Sequence, residues 1–134
     1  MINKKTTLSV LILTYQLLSA TVYAHDPLDA CLEVEQTAKS QSTCIDNVKD
    51  VVERELQTWI NTHVLNLEQK ITVTWRPAAL KLFRRSESDF VAFREHECRW
   101  QYFATPPEKS ATLTYKRCYI LITQNRIDQL SKVR

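Results

Sequence analysis

A chain of 134 residues without a single glycine lacks the residue that turns most freely. At ordinary usage about nine would be present. Their absence excludes the phosphate-cradling loop, the dinucleotide fingerprint and the nucleophile elbow, each of which needs backbone that only glycine tolerates. Hairpins of the primed turn types would have to rest on Asn or Asp alone. A many-turned all-β fold is therefore disfavoured. The commonest helix C-cap is missing too, so helices must end at Asn, at Pro or by fraying. What remains is a helical chain with few tight turns.

Residues 1–24 read as a secretory signal peptide. Lys4 and Lys5 supply the positive start, and Leu8 to Leu18 is mostly apolar. Val22-Tyr23-Ala24 places small residues where a signal peptidase needs them, with cleavage after Ala24. The apolar run is shorter than the roughly 20 residues of a membrane anchor. Leu28-Asp29-Ala30-Cys31 faintly resembles a lipobox, but Asp29 fits that motif badly and Asp26-Pro27 separates it from the apolar stretch. The expectation is a periplasmic or secreted domain, residues 25–134, with no stable membrane insertion after cleavage. Losing Lys4 and Lys5 lowers the formal charge from +3 to +1. A nucleic-acid or anionic-membrane partner thus has little electrostatic support.

Helical spacing dominates the rest. Asp26-Pro27 can cap and open a short helix to about Ala38. Thr43 and Asp46 resemble a capping box. From Cys44, the positions Val48, Val51, Val52, Leu56, Trp59, Ile60, His63, Val64 and Leu67 recur with helical period, which predicts a long helix ending near Lys70. Ile71 to Trp75 is β-branched and alternating, and with no strand to pair with it reads as a connector. Pro77 opens a third helix to about Phe103. Along one side lie Leu80, Phe83, Phe90, Phe93 or Arg94, Glu97 and Gln101, with Leu82 and Trp100 flanking. Ala104 to Ser110, with Pro106-Pro107, is a loop. A last helix carries Leu113, Tyr115, Cys118, Leu121, Ile122, Arg126, Ile127 and Leu130. The expected fold is all-α: a small disulfide-stabilised bundle of about four helices built from helical hairpins.

Export and four cysteines imply two disulfides. In an antiparallel hairpin, level residues have numbers with a constant sum. Cys98 and Cys118 average 108, inside the proline loop, and so face each other. So do Phe90 and Arg126. Cys31 and Cys44 are then left to each other, provided the first helix stops by about Gln36. The spacing lacks the paired knuckles of a zinc site, and neither a metal nor any other cofactor is expected.

The segment Ser86 to Cys98, SESDFVAFREHEC, resembles the aromatic–x–x–aromatic–Arg–x–x–x–Cys signature of the LprI-like family of exported lysozyme inhibitors. Phe93, Arg94 and Cys98 match it, and Phe90 stands where the family usually has Trp. CYILITQNRIDQL, from Cys118 to Leu130, resembles the family's ending, with Ile122, Thr123, Arg126 and Leu130 in the matching places. The pair Cys31 and Cys44 around a short helix is family-like as well. The family's link before the last Cys tends to be Gly-rich; here it is Thr105-Pro106-Pro107-Glu108-Lys109-Ser110. The resemblance implies a disulfide-bonded helical domain over residues 25–134 that binds and blocks a peptidoglycan-cleaving muramidase. An envelope interaction module with another partner, such as an immunity or assembly factor, is the alternative.

Read from their own chemistry, the motif residues are mainly structural. Phe90 and Phe93 are expected to pack. Arg94 and Arg126 are expected to pair with carboxylates or to cap loop carbonyls inside the hairpin; a buried Arg needs a partner, and Glu97 is in reach at i+3. Thr123 is expected to bond back to a carbonyl or point at Arg126. No enzyme is expected: His25, His63 and His96 are isolated, Cys98 is a disulfide half, and Glu87, Asp89, Glu95 and Glu97 read as a solvated face. The candidate contact with a target is the stiff loop, Pro106 and Pro107 with Lys109 and Ser110, tied down by Cys98 and Cys118. The sequence sets no oligomeric state.

Overall fold

The computed structural model describes residues 27–33, 37–107 and 109–133. The segment read as a signal peptide lies outside them, as does His25. The described residues form four α-helices and no strand: α1 (Pro27–Glu33), α2 (Ala38–Thr74), α3 (Ala78–Ala104) and α4 (Ala111–Lys132).

Both boundaries of α2 differ from expectation, and each difference lengthens it. At its start Thr37, not Thr43, is the cap: its side chain accepts the Ser40 N–H. Thr43 instead bonds back to the Lys39 carbonyl at 3.1 Å. Nothing in the polar stretch 39–42 breaks a helix, so the helix takes it. At its end, Ile71 to Thr74 continues the helix rather than forming an extended connector. The threonines assist, since Thr72 and Thr74 donate to the carbonyls of Gln69 and Lys70. The helix then stops at Trp75, whose N–H meets the Ile71 carbonyl with φ at 54°. This is the left-handed cap that glycine usually supplies, and Trp75 occupies it almost fully exposed.

α2, α3 and α4 form an up-down-up bundle. α3 runs antiparallel to both neighbours, so α2 and α4 are parallel. Lys116 reaches Ser42 and Asp46 near the start of both helices, and His63 Nε2 lies 2.9 Å from the Leu130 carbonyl further along. Ile45, Val52 and Leu56 of α2 pack with Ile120, Ile127 and Leu130 of α4, while Phe83 and Phe90 of α3 close the third side. The His63 ring sits beside Trp59 and Phe83.

α1 is too short to be stable alone. It folds back along α2, buries Leu28 and Cys31 in the core, and is bridged by Cys31–Cys44. Burying Leu28 contributes about 2 kcal/mol. α1 ends at Glu33, well short of Ala38, which leaves room for the bridge. The second bridge, Cys98–Cys118, joins α3 to α4.

Candidate functional site

The signature residues meet in the middle of the bundle. Arg94 is inward on α3 and only 5% exposed. Its Nη1 donates to Glu53 of α2 at 2.5 Å and to the Thr123 hydroxyl of α4 at 2.8 Å. Thr123 in turn donates to the Tyr119 carbonyl. The guanidinium lies over the Tyr119 ring, 3.9 Å from its centroid. One side chain thus ties three helices. Glu97, the partner within reach on the same helix, receives the Gln101 amide instead. Glu53 is the carboxylate that α2 brings against the inward face of α3, where the buried guanidinium is neutralised.

Arg126 makes a second cluster toward the other end of the bundle. It pairs with Glu87, also buried, and donates to Ser86 and Gln129. The Phe90 ring lies between the two guanidiniums, 5.3 Å from Arg94 and 5.6 Å from Arg126. Two cations can flank one ring here because each holds its own carboxylate. Tyr119 is raised above the usual tyrosine range, first by burial and then by its hydrogen bond to Glu53. Burial also raises Tyr115, helped by its bond to Glu95 at 2.5 Å.

The α3–α4 hairpin ends in the proline loop. Pro106, Pro107 and Lys109 are exposed. Ser110 is the N-cap of α4, accepting the Leu113 N–H at 3.2 Å, so its oxygen is committed to the helix. Beside the loop, a shallow hollow between α3 and α4 carries Lys109 and Arg117 and, among the described residues, no carboxylate. The Cys98–Cys118 bridge underlies it.

The family model described as lysozyme inhibitor LprI matches residues 31–130. The chain belongs to this family. The match spans both disulfides, the Arg94 and Arg126 clusters and the proline loop. No curated protein and no solved structure matches the chain.

Within this LprI-family chain, Phe93 departs from the packing expected of it. Phe90, Arg94 and Cys98 recur at i, i+4 and i+8 and set the inward stripe. Phe93 lies about 100° away from Arg94 and is 56% exposed. Trp100 and Phe103 share the outer surface of α3 with it, and Tyr102 meets Phe103 edge-on at 5.3 Å. From the sequence alone Phe93 falls on the packed stripe with Trp100 beside it, and neither Tyr102 nor Phe103 is singled out, because aromatics on a helical stripe read first as core. Thr123 meets Arg94 rather than Arg126, since Arg126 lies nearly a full turn further toward the end of α4.

The carboxylates that could suggest glycoside chemistry are each engaged elsewhere. Glu87 holds Arg126, Glu95 holds Tyr115, Glu97 holds Gln101, and Asp89 pairs loosely with Arg85. His96 is exposed and Cys98 is oxidised. Among the described residues, no cluster of His, Cys, Asp and Glu is arranged to hold a metal ion, and no helix is long and apolar enough to cross a membrane.

Proposed function

We propose that this chain is an exported inhibitor that binds a lysozyme-type muramidase and occludes its cleft with the α3–α4 hairpin end. The observation that carries the reading is the family match over residues 31–130. Two disulfides accord with an oxidising compartment. The sequence of residues 1–24 provides the export signal. The Cys31 sulfur is bonded to Cys44, which leaves none for a lipid thioether.

The cleft of a muramidase presents carboxylates. Among the described residues, the hollow beside the proline loop presents Lys109 and Arg117 with no acid in its lining. Two prolines and a disulfide hold this end rigid, so little ordering entropy is lost on docking. Lys109 is the exposed cation at the tip. The exposed Trp100, Tyr102 and Phe103 add the aromatic surface that interfaces favour.

Titrating the purified protein into a cell-wall clearing assay tests the reading. Lysozyme activity is expected to fall as the protein reaches stoichiometric amounts. Lys109→Ala is expected to weaken inhibition about tenfold or more, the loss of one well-placed charge contact. Undiminished clearing at large excess removes the function. Full inhibition by Lys109→Ala removes the contact site. Ser110→Ala is a poor probe, because loss of the cap costs about 1 kcal/mol of helix stability by itself.

A further inference from the structure

A second surface lies on the α1 side of the bundle. An open groove of about 880 Å3 runs beside α2, with α1 as one wall and the last turns of α4 as the other. Its floor is apolar: Val48, Val51, Val52, Trp59 and Ile127. Val51 is 53% exposed although it points into the groove, so no other described residue covers the apolar strip. The Cys31–Cys44 bridge forms part of the α1 wall and fixes its position.

The charges on this surface have one sign. Among the described residues that line the groove, the ionised ones are Glu55 and Asp128, and none is Lys or Arg. Glu55 is in no ion pair among the described residues. Asp128 meets Lys132 one turn on, but both side chains are largely exposed. Such a pair contributes little and rearranges freely. An apolar strip between two helices, edged by carboxylates, matches the apolar stripe of an amphipathic helix with flanking cations. Its volume is in the range of sites that bury most of a ligand's apolar surface. The same carboxylates disfavour a nucleic acid or an anionic lipid surface. They also disfavour a second copy docking groove to groove, since a two-fold contact would set Glu55 and Asp128 against themselves.

We propose that this groove docks a cationic amphipathic helix of a partner protein, with apolar anchors on the Val51–Trp59 floor and Lys or Arg side chains at Glu55 and Asp128. The groove shares no lining residue with the hollow beside the proline loop. On α4 its lining begins at Gln124, about 21 Å of helix beyond Ser110, while on α2 it begins at Cys44, two residues from Ser42, which lines a hollow with Ser110.

The test uses the purified protein with both disulfides formed and two labelled helical peptides of about 18 residues, long enough to follow the groove. One has a Leu stripe flanked by Lys, and the other has the same stripe flanked by Glu. Fluorescence anisotropy is expected to show saturable binding of the Leu/Lys peptide and none of the Leu/Glu peptide. Val51→Arg and the pair Glu55→Lys with Asp128→Lys are each expected to weaken binding about tenfold or more. Thermal melts check that these exposed changes leave the fold intact. Lys109→Ala is expected to leave peptide binding unchanged. The proposal is overturned by no binding of the Leu/Lys peptide, by equal binding of both peptides, or by indifference to the groove variants. It is also overturned if the peptide binds only after the residues ahead of Pro27 that the purified protein retains are deleted, because that segment is then the occupant.

Discussion

Arg94 gives the sharpest test of how this bundle is held. Replacing it with Met keeps most of the stem's packing and removes the guanidinium. The charge-assisted bond to Glu53 accounts for about 1.5–3 kcal/mol, and the stack on Tyr119 and Phe90 for about 1–2. Against that, burial of a charge is relieved, and so is an Nε that has no partner among the described residues. The Glu53 side chain is 36% exposed, so it rehydrates on its open side. The net cost of Arg94→Met is then about 2–3 kcal/mol. Glu53→Met is the harsher change. It strands a guanidinium whose side chain is 6% exposed, for which about 3–5 kcal/mol is typical. The double variant removes both charges and is expected to be more stable than Glu53→Met alone. Urea unfolding at pH 7, followed by far-UV circular dichroism with disulfides intact, measures all four corners of the cycle. The expected coupling is about 2 kcal/mol or more. The reasoning fails if Glu53→Met costs no more than Arg94→Met, or if the single effects add within about 0.5 kcal/mol.

Two further outcomes follow from the structure. Trp75 sits at φ 54°, and left-handed backbone costs a non-glycine residue about 1–2 kcal/mol. Trp75→Gly removes this, gives back about 0.5–1 through the freer unfolded chain, and loses little packing. A gain of about 0.5–1 kcal/mol is expected, with Trp75→Ala near neutral; a melting temperature that falls on Trp75→Gly contradicts the assignment. Tyr119 and Tyr115 are both raised from 10.0 in the fold. The folded state therefore holds these protons more tightly, and that stability is complete below pH 10 and is lost as pH rises beyond it. Melting temperatures measured from pH 8 to 11 are expected to drop at the alkaline end, and less steeply in Tyr119→Phe. An identical alkaline drop in both proteins excludes Tyr119 as its source.

The helices were legible because glycine is absent and apolar residues recur at helical spacing. The Cys98–Cys118 bridge was legible because a hairpin has linear geometry, and level positions follow from the loop alone. The phase of α3 was harder. Hydrophobicity favours Phe93 as the inward residue beside Phe90, but the inward position belongs to Arg94, whose charge is answered from another helix. That partner, Glu53, is 41 residues away on α2. Its register against α3 depends on where α2 stops, and α2 stops at an unusual cap. No residue pattern announces that a tryptophan will take the left-handed position. The groove was illegible for a related reason. It exists because α1 ends early and is stitched back along α2, and neither fact lies in the spacing of α2 or α4 alone.

Pro27 and Ser131 line the same groove, which follows α2 for about 22 Å from Cys44 to Trp59. A linker laid along that groove would join the two ends of the described fold, and new ends could be opened at Trp75 and Arg76, outside any helix and in water. Such a rearranged chain would make α3 and α4 the leading hairpin and join α4 directly to α1. It would replace the long α2–α3–α4 crossover, which sets two parallel helices side by side, with a different order of assembly. Every buried contact and both disulfides would keep their places, which separates what the packing requires from what the chain order happens to supply.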